Sequence, residues 1–316
     1  MAWSGFEHQI WKMLKLYELD AHEKFILAIS GGVDSMALLH VMVQLKPHAQ
    51  FKVAYFHHGI SNDLVQTNYR NECKELIRDA VLAYPQVNLE FVTEQSDVCL
   101  KSEAEFRDAR WNFLRKLQDC KQPIITAHHL DDWVETLTLK LIRGVGPEGF
   151  TAFKAWDGNI FRPFLEIQKA DLQNYITQIK APFLDDPTNQ SNHYLRNWLR
   201  NEWFRLLDEK NPSGYQNYSR SLLRLCQDLE DSQVFTLQFL NENSMSGLDR
   251  NWFFSLSEKL QMKALTLFLR HHAIYNFTQG QLEEVKKRLD KNQKDLTFMV
   301  INVKWVINAS QIMLEL

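Results

Sequence analysis

Ser30-Gly-Gly-Val-Asp-Ser35 follows an apolar run, Phe25–Ile29, and opens a helical pattern. Two adjacent glycines permit positive φ and let the backbone approach a ligand closely. Successive N–H groups in such a turn form an anion-binding nest, and the helix that starts there adds the positive end of its dipole. Ser30 and Ser35 add hydroxyl donors, so Ser30, Gly31, Gly32, Val33, Asp34 and Ser35 read together as a phosphate cradle. Asp34 would repel a bare phosphate, which suits a carboxylate that holds Mg²⁺. No lysine follows the glycines, so this is not the GxxxxGK[ST] loop, nor is it GxGxxG. A second group lies in Ala127-His-His-Leu-Asp-Asp-Trp-Val-Glu135. Asp132 and Glu135, three apart, share one face of a helix. Such a pair binds Mg²⁺ or positions a proton transfer. Asp131 and Asp132 also stand where helix N-terminal caps stand. Arg107 and Arg110 are three apart, Arg196 and Arg200 one helical turn apart; each pair suits either phosphates or solvent.

At a strand-to-helix junction the first loop resembles the SGGxDS pyrophosphate loop of the ATP pyrophosphatases. Those enzymes cleave ATP between the α- and β-phosphates and adenylate their substrate. Ala127–Gly144 looks like the AHHxxDxxET…RG motif of the tRNA(Ile)-lysidine synthetases within that group, and Gly146-Pro-Glu-Gly149 continues their RGxGxxG loop. Glu103–Trp111 is similar to their E..AR..RY helix, with Phe106 where Ala is usual and Trp111 where Tyr is usual. Asp185–Arg200 looks like their DPSN…RN..R motif. Tyr55-Phe-His-His-Gly stands where the family has a HxxHG-like stretch; Tyr55 replaces its first His and His58 matches its second. The resemblance covers about residues 22–205.

The resemblance implies ATP and Mg²⁺ as cofactors, with Asp34 as the metal ligand. Its catalytic group would be Asp34, Arg107, Arg110, Asp132 and Glu135, with Arg196 and Arg200 toward tRNA. The implied reaction ligates L-lysine to C2 of the wobble cytidine of an isoleucine tRNA with a CAU anticodon, through an adenylated intermediate. Either Asp132 or Glu135 would accept the lysine proton. The implied location is cytoplasmic, and a homodimer is compatible with this reading. The rivals are another pyrophosphatase-loop enzyme, such as a tRNA thiolase, and a non-catalytic nucleotide-dependent tRNA-binding module. A thiolase would want paired cysteines. Cys73, Cys99, Cys120 and Cys226 are widely spaced and offer no CxxC.

The elements that must carry these residues alternate. Phe25–Ile29, Lys52–Phe56, Asn88–Thr93 and Pro123–Ala127 read as strands. Met36–Leu45, Asn62–Ala83, Glu103–Leu117 and Asp131–Ile142 have helical spacing. This alternation predicts βαβ units around a parallel sheet, with ligands beyond the carboxyl ends of its strands. The fold class expected is α/β, a parallel-sheet nucleotide-binding domain of the PP-loop ATPase (adenine nucleotide alpha hydrolase-like) type. A smaller, mainly helical domain with a terminal β meander follows. Helices are expected over Pro163–Ile179, Tyr194–Leu207, Tyr218–Leu240, Ser257–His271 and Gln279–Leu289, and meander strands over Phe298–Val303, Trp305–Asn308 and Ile312–Leu316. Gly144–Gly149 and Asp185–Asn189 read as loops, and Asn211-Pro-Ser-Gly214 as the boundary. The division is then 1–210, catalytic, and 211–316, tRNA-binding. Trp252–Phe254, Phe268 and Phe277 read as core of the second domain in preference to base-stacking platforms.

Composition bounds the remaining classes. The chain has 316 residues, 45% hydrophobic and 24% charged, which argues against long disorder and suggests two domains. No apolar run approaches the roughly 18 residues of a membrane helix. The first residues lack a basic region followed by an apolar core, so no signal peptide is read. A net charge of -3 gives no global basic field, so a nucleic-acid partner must be held by local patches. The spacing of the cysteines suits reduced thiols.

Overall fold

Five strands form a sheet in the order β3-β2-β1-β4-β5: β1 (Lys24–Ala28), β2 (Gln50–His57), β3 (Asn88–Gln95), β4 (Ile124–Thr126) and β5 (Ile160–Phe161). The computed structural model describes residues 3–60, 63–98, 100, 102–119, 122–150, 154–187, 195–242, 247–290 and 295–315. Every pairing in this sheet is parallel, with Ile26 beside Lys52 on one side and Ile124 on the other. The four strands read from the sequence are β1 to β4. The two residues of β5 are too few to show a period.

The strands read as continuous apolar runs because both faces of the sheet are covered. Phe25 and Leu27 point into one apolar cluster, with Phe51 and Val53 beside them. Ile26 points into the other, with Ala54, Phe56, Phe113 and Leu114. The first face is covered by α1 (Gly5–Leu16), α2 (Val33–Leu45) and α7 (Lys169–Gln178). Helix α2 is apolar around its whole circumference and almost wholly buried, as a helix enclosed on all sides must be. Helix α1 starts at a capping box, Ser4 with Glu7. The opposite face is covered by α4 (Glu103–Lys116), whose Trp111, Phe113 and Leu114 turn inward. Helix α3 (Leu64–Leu82) connects β2 to β3, and α5 (Leu130–Ile142) follows β4.

Two expected helices differ in the structure. Pro163–Ile179 shortens to α7, because Arg162–Ile167 is held in turns: the Ile167 N–H donates to Phe164 O and its carbonyl accepts the Leu130 N–H at the start of α5. Tyr194–Leu207 becomes α8 (Leu195–Trp198), a wide π-helical turn over Leu199–Trp203, and α9 (Phe204–Lys210). Tyr194 lies outside the described residues, as do Asn62, Cys99, Cys120, Thr188, Asn189 and Leu316. Pro147–Phe150, inside the glycine-rich loop, forms the short helix α6.

The chain divides into two compact units, Met1–Arg224 and Leu225–Leu316. The division falls within α10 (Gly214–Glu242); Asn211–Ser213 lies between α9 and α10, and Gly214 opens α10. In the second unit, α11 (Arg250–Ser255), α12 (Glu258–His271) and α13 (Gln279–Leu289) pack on an antiparallel sheet. Its order is β6-β9-β8-β7: β6 (Leu248–Asp249), β7 (Leu296–Val300), β8 (Val303–Ile307) and β9 (Gln311–Glu315). The expected meander is β7–β9, and β6 joins it as a fourth strand. Trp305, Phe253 and Phe268 are core there, whereas Phe254 is exposed.

Candidate functional site

Strand β1 ends at the point where the sheet order turns from β2 to β4, the place where open α/β sheets leave a crevice. The chain exits β1 through Ser30–Gly32 and enters α2 with Gly32 as the N-cap and no side chain capping it. The first N–H groups of α2 are therefore left for a ligand. Gly31 has φ +89°, and a Cβ there would stand 2.9 Å from Cys73 Cβ, so both the backbone and the space demand glycine. The loop is braced from within. Ser35 Oγ accepts the Ser30 N–H at 3.1 Å and donates to Gly32 O at 2.9 Å, while Ser30 Oγ lies 3.1 Å from Ser35 Oγ. The Gly31 carbonyl accepts the Leu184 N–H, which brings the Asp185–Asp186 segment to the loop.

Across the crevice, His129 caps α5. Its Nδ1 accepts the Asp131 N–H at 3.2 Å, and Asp132 Oδ2 accepts the His129 backbone N–H at 3.1 Å, closing a capping box. That geometry places the proton of a neutral ring on Nε2. His129 Nε2 lies 3.6 Å from Asp34 Oδ2 and 3.4 Å from Asp132 Oδ2, so one imidazole joins the loop after β1 to the helix after β4. Burial alone would lower the His129 pKa, but the hydrogen bond to Asp34 and the charges of Asp132, Asp34 and Asp131 outweigh it and raise it. Burial also opposes ionisation of Asp132, yet His129 and Arg200 hold its carboxyl below the usual range. Asp131 Oδ1 accepts a hydrogen bond from Tyr215 Oη, at the start of α10, at 2.5 Å.

Glu135, one turn further along α5, is 0% exposed. Arg200 grips it with two bonds, Nε to Oε1 at 2.6 Å and Nη2 to Oε2 at 3.0 Å, and Nη2 also reaches Asp132 Oδ1 at 3.4 Å. Arg196 Nε lies 3.6 Å from Glu135 Oε2. Burial raises the Glu135 pKa; Arg200 works against that rise without cancelling it. The sequence reading directed Arg196 and Arg200 toward RNA, and the structure sets both against the site's own carboxylates. The π turn that carries Arg200 widens the helix just after Arg196, and such single turns recur at functional sites.

A cavity of about 570 Å³ gathers these groups, lined by Gly32, Asp34, His129, Asp132, Arg107 and Arg110 among others. Ser30, Val33, Ser35, Arg196 and Arg200 also line it, as does Lys169 at the start of α7. Glu135 does not line it. Arg110 Nε is buried with no hydrogen-bond partner among the described residues, and burial together with Arg107 lowers its pKa. His58 sits edge-on to Phe106, with ring centroids 5.0 Å apart; burial, then Arg110, Arg70 and His57, push it down to about 4. Burial takes His128 down to about 3, and its Nδ1 pairs with Thr126 Oγ1 at 2.8 Å. Both rings are thus neutral at physiological pH. Asp34 Oδ1 is buried with no hydrogen-bond partner among the described residues. One such carboxylate oxygen beside a phosphate cradle fits Mg²⁺, which keeps several waters and takes few protein ligands. No cluster of three or more acidic, His or Cys side chains suited to a metal occurs among the described residues, so the remaining ligands of such an ion would be phosphates and water.

Comparison with known proteins agrees with this geometry. The PP-loop domain family model matches residues 6–207. A tRNA(Ile)-lysidine synthase of Bdellovibrio bacteriovorus is 35% identical over 99% of this chain and 98% of its own length. The chain belongs to the tRNA(Ile)-lysidine synthase family. A family member from Actinobacillus pleuropneumoniae is 31% identical over 68% of this chain, and the chain spans about half its length, 49%. One from Thermosipho africanus is 27% identical over 89% of this chain and 65% of its own. Among solved structures, a U34-tRNA thiolase from Methanococcus maripaludis has a TM-score of 0.53 at 14% identity, covering 70% of this chain and 78% of that one. That likeness is one of fold.

Within the lysidine synthase motifs, the sequence reading assigned no role to His129, although it stands beside the acids it joins. It could not find Tyr215, which lies far along the chain from Asp131. The departures from the family pattern are absorbed locally. Tyr55 Oη donates to Arg70 O at 2.7 Å, and the Arg70 guanidinium lies 5.7 Å from the Phe106 ring centre.

Proposed function

We propose that this chain ligates L-lysine to C2 of the wobble cytidine of an isoleucine tRNA with a CAU anticodon, consuming ATP to AMP and pyrophosphate. The observation that carries this reading is the near full-length match to a tRNA(Ile)-lysidine synthase, joined to the Asp34–His129–Asp132 cluster at the carboxyl end of the sheet. The cytidine O2 attacks the α-phosphorus and pyrophosphate leaves. The lysine amine then attacks the activated C2 and AMP departs. When bound, Mg²⁺ offsets phosphate charge at Asp34.

The protein's own groups supply the rest. The open N–H groups of α2 and the Ser30–Ser35 loop receive the phosphates. Arg107 and Arg110 offset the charge that develops on the leaving pyrophosphate. Asp132 faces the cavity and its depressed pKa keeps it ionised, so it holds the lysine amine by charge while the proton released on attack passes by way of its carboxylate to water; Glu135, buried and locked to Arg200, positions Asp132 and the arginines. Arg196 and Arg200 form the wall toward the tRNA, and the part from residue 211 onward holds the tRNA body. A cytoplasmic location follows from this activity. No helix among the described residues is long and apolar enough to cross a membrane. The test is release of AMP and pyrophosphate with ATP, lysine and isoleucine tRNA, each omitted in turn, with mass analysis of the wobble nucleoside. Turnover that ignores lysine, or products ADP and orthophosphate, would overturn the reading.

A further inference from the structure

A second groove, of about 440 Å³, lies along α4 beside the main cavity and shares Arg107 and Trp111 with it. Arg107, Trp111 and Arg115 are spaced i, i+4, i+8 and so form one stripe on the helix. The stripe spans about 12 Å along the axis at 1.5 Å per residue. Arg162 closes the far side. It is anchored and largely neutralised, donating to Lys154 O at 2.6 Å and lying 3.4 Å from Asp157 Oδ2. Asp108 is the one acid that lines the groove, and Asn112 adds an amide. Arg107 and Arg115 are exposed, and neither forms an ion pair among the described residues. The mechanism above uses Arg107, on the shared wall, but not Arg115, Asn112 or the rest of this groove.

A base modified inside a cavity must be splayed from its strand, and the phosphates on either side then cross the cavity's rim. Helix α4 is that rim, with Arg107 on the wall common to both spaces. We propose that the α4 groove holds the phosphates of the single-stranded loop flanking the modified nucleotide, with Arg115 as its outermost contact. This rests on the function proposed above and adds to it the track by which the RNA strand leaves the site.

The test compares the full chain with Arg115→Ala and Arg115→Glu in binding a 17-nucleotide RNA hairpin with a CAU loop across a salt series. Losing one phosphate contact to a single strand lowers the slope of log K against log salt by about 0.7. Arg115→Ala should show that reduction and Arg115→Glu a larger loss of affinity, with melting temperature and the KM for ATP unchanged. A hairpin whose loop is replaced by continuous duplex should show no difference between the proteins. Unchanged slopes in both variants, or an equal loss on the duplex, would overturn the groove assignment alone. A parent protein that binds no hairpin would overturn the function reading together with it.

Discussion

Removing Arg200 asks what the buried carboxylate of Glu135 does without its partner. Glu135 is 0% exposed and takes both bonds of the guanidinium, at 2.6 and 3.0 Å. Breaking a buried pair from one side costs about 3–5 kcal/mol, because the remaining charge stays in a poor solvent. The Arg200 side chain is 30% exposed and Arg196 Nε waits 3.6 Å from Oε2, so some water and some residual charge reach the gap. The low end applies, about 3 kcal/mol for Arg200→Ala. In a unit of roughly 200 residues that lowers the melting temperature by about 6–12 °C. The pH dependence has a definite sign. Burial already raises the Glu135 pKa, and Arg200 restrains the rise, so the variant's pKa climbs further. A carboxyl whose folded pKa is raised destabilises the folded state above that pKa and ceases to do so below its unfolded value. The deficit of Arg200→Ala should thus be largest near pH 8 and shrink as pH falls toward about 4.3, the unfolded value. Urea melts at four pH values measure it. The double variant Glu135→Gln/Arg200→Ala should recover most of the loss. A deficit below about 0.5 kcal/mol at pH 8, the range of ordinary surface changes, or a double variant no better than the single, would refute the reasoning.

His129 has a raised pKa, so its contribution to stability is fully present below about 6.5 and is lost as pH rises through its folded value. The stability gap to His129→Asn should be wider at pH 6 than at pH 8.5; a gap independent of pH would show that folding leaves the ring's pKa unshifted, and a gap narrower at pH 6 that the folded ring stays neutral. Tyr215→Phe keeps the ring against Phe204 but deletes the 2.5 Å bond to Asp131. A hydrogen bond to a charged group is worth about 1.5–3 kcal/mol, so turnover should fall at least tenfold or the melting point should drop, and no change in either would remove Tyr215 from the site. Gly31→Ala should cost about 1–3 kcal/mol for the strained backbone alone. Adding Cys73→Ala should relieve the contact with the new methyl but leave the strain, so full recovery in the double variant would show that crowding and not φ was limiting.

The parts of the site written contiguously were legible. Ser30–Ser35 and His128–Glu135 each span one strand exit and one helix start, where local chemistry and local geometry coincide. Helix α2 was legible from the helical spacing of Met36–Leu45, whereas its burial on nearly every side is visible only in the packed structure. The capping box of Ser4 and Glu7 is written in the sequence too, but Ser-x-x-Glu alone is a short signal, and what holds α1 in place is the burial of Ile10 and Leu14 against distant parts of the chain. The pairings of Arg200 with Glu135 and Tyr215 with Asp131 join elements far apart in sequence, and no local pattern names the partner. Arg196 and Arg200 looked like a solvent-facing or RNA-facing pair because their spacing is correct for either. What decides is the burial of Glu135, whose carboxylate, shut off from water, takes both guanidinium groups as neighbours, and only the packed helix reveals that. The turns at Arg162–Ile167 were missed because the carbonyl that holds them serves α5, an element that precedes them.

The parallel pairing of Ile26 with both Lys52 and Ile124 has a consequence for how the molecule comes into being. A nascent chain can lay β1 against β2 soon after both leave the ribosome, but β4 arrives much later, and with it the acids of α5. Until that seam shuts, the turn after β1 has no counter-wall, and a half-made protein has no competent centre with which to squander nucleotide. Ligand therefore favours the finished sheet over every partial one, by mass action on the native state alone.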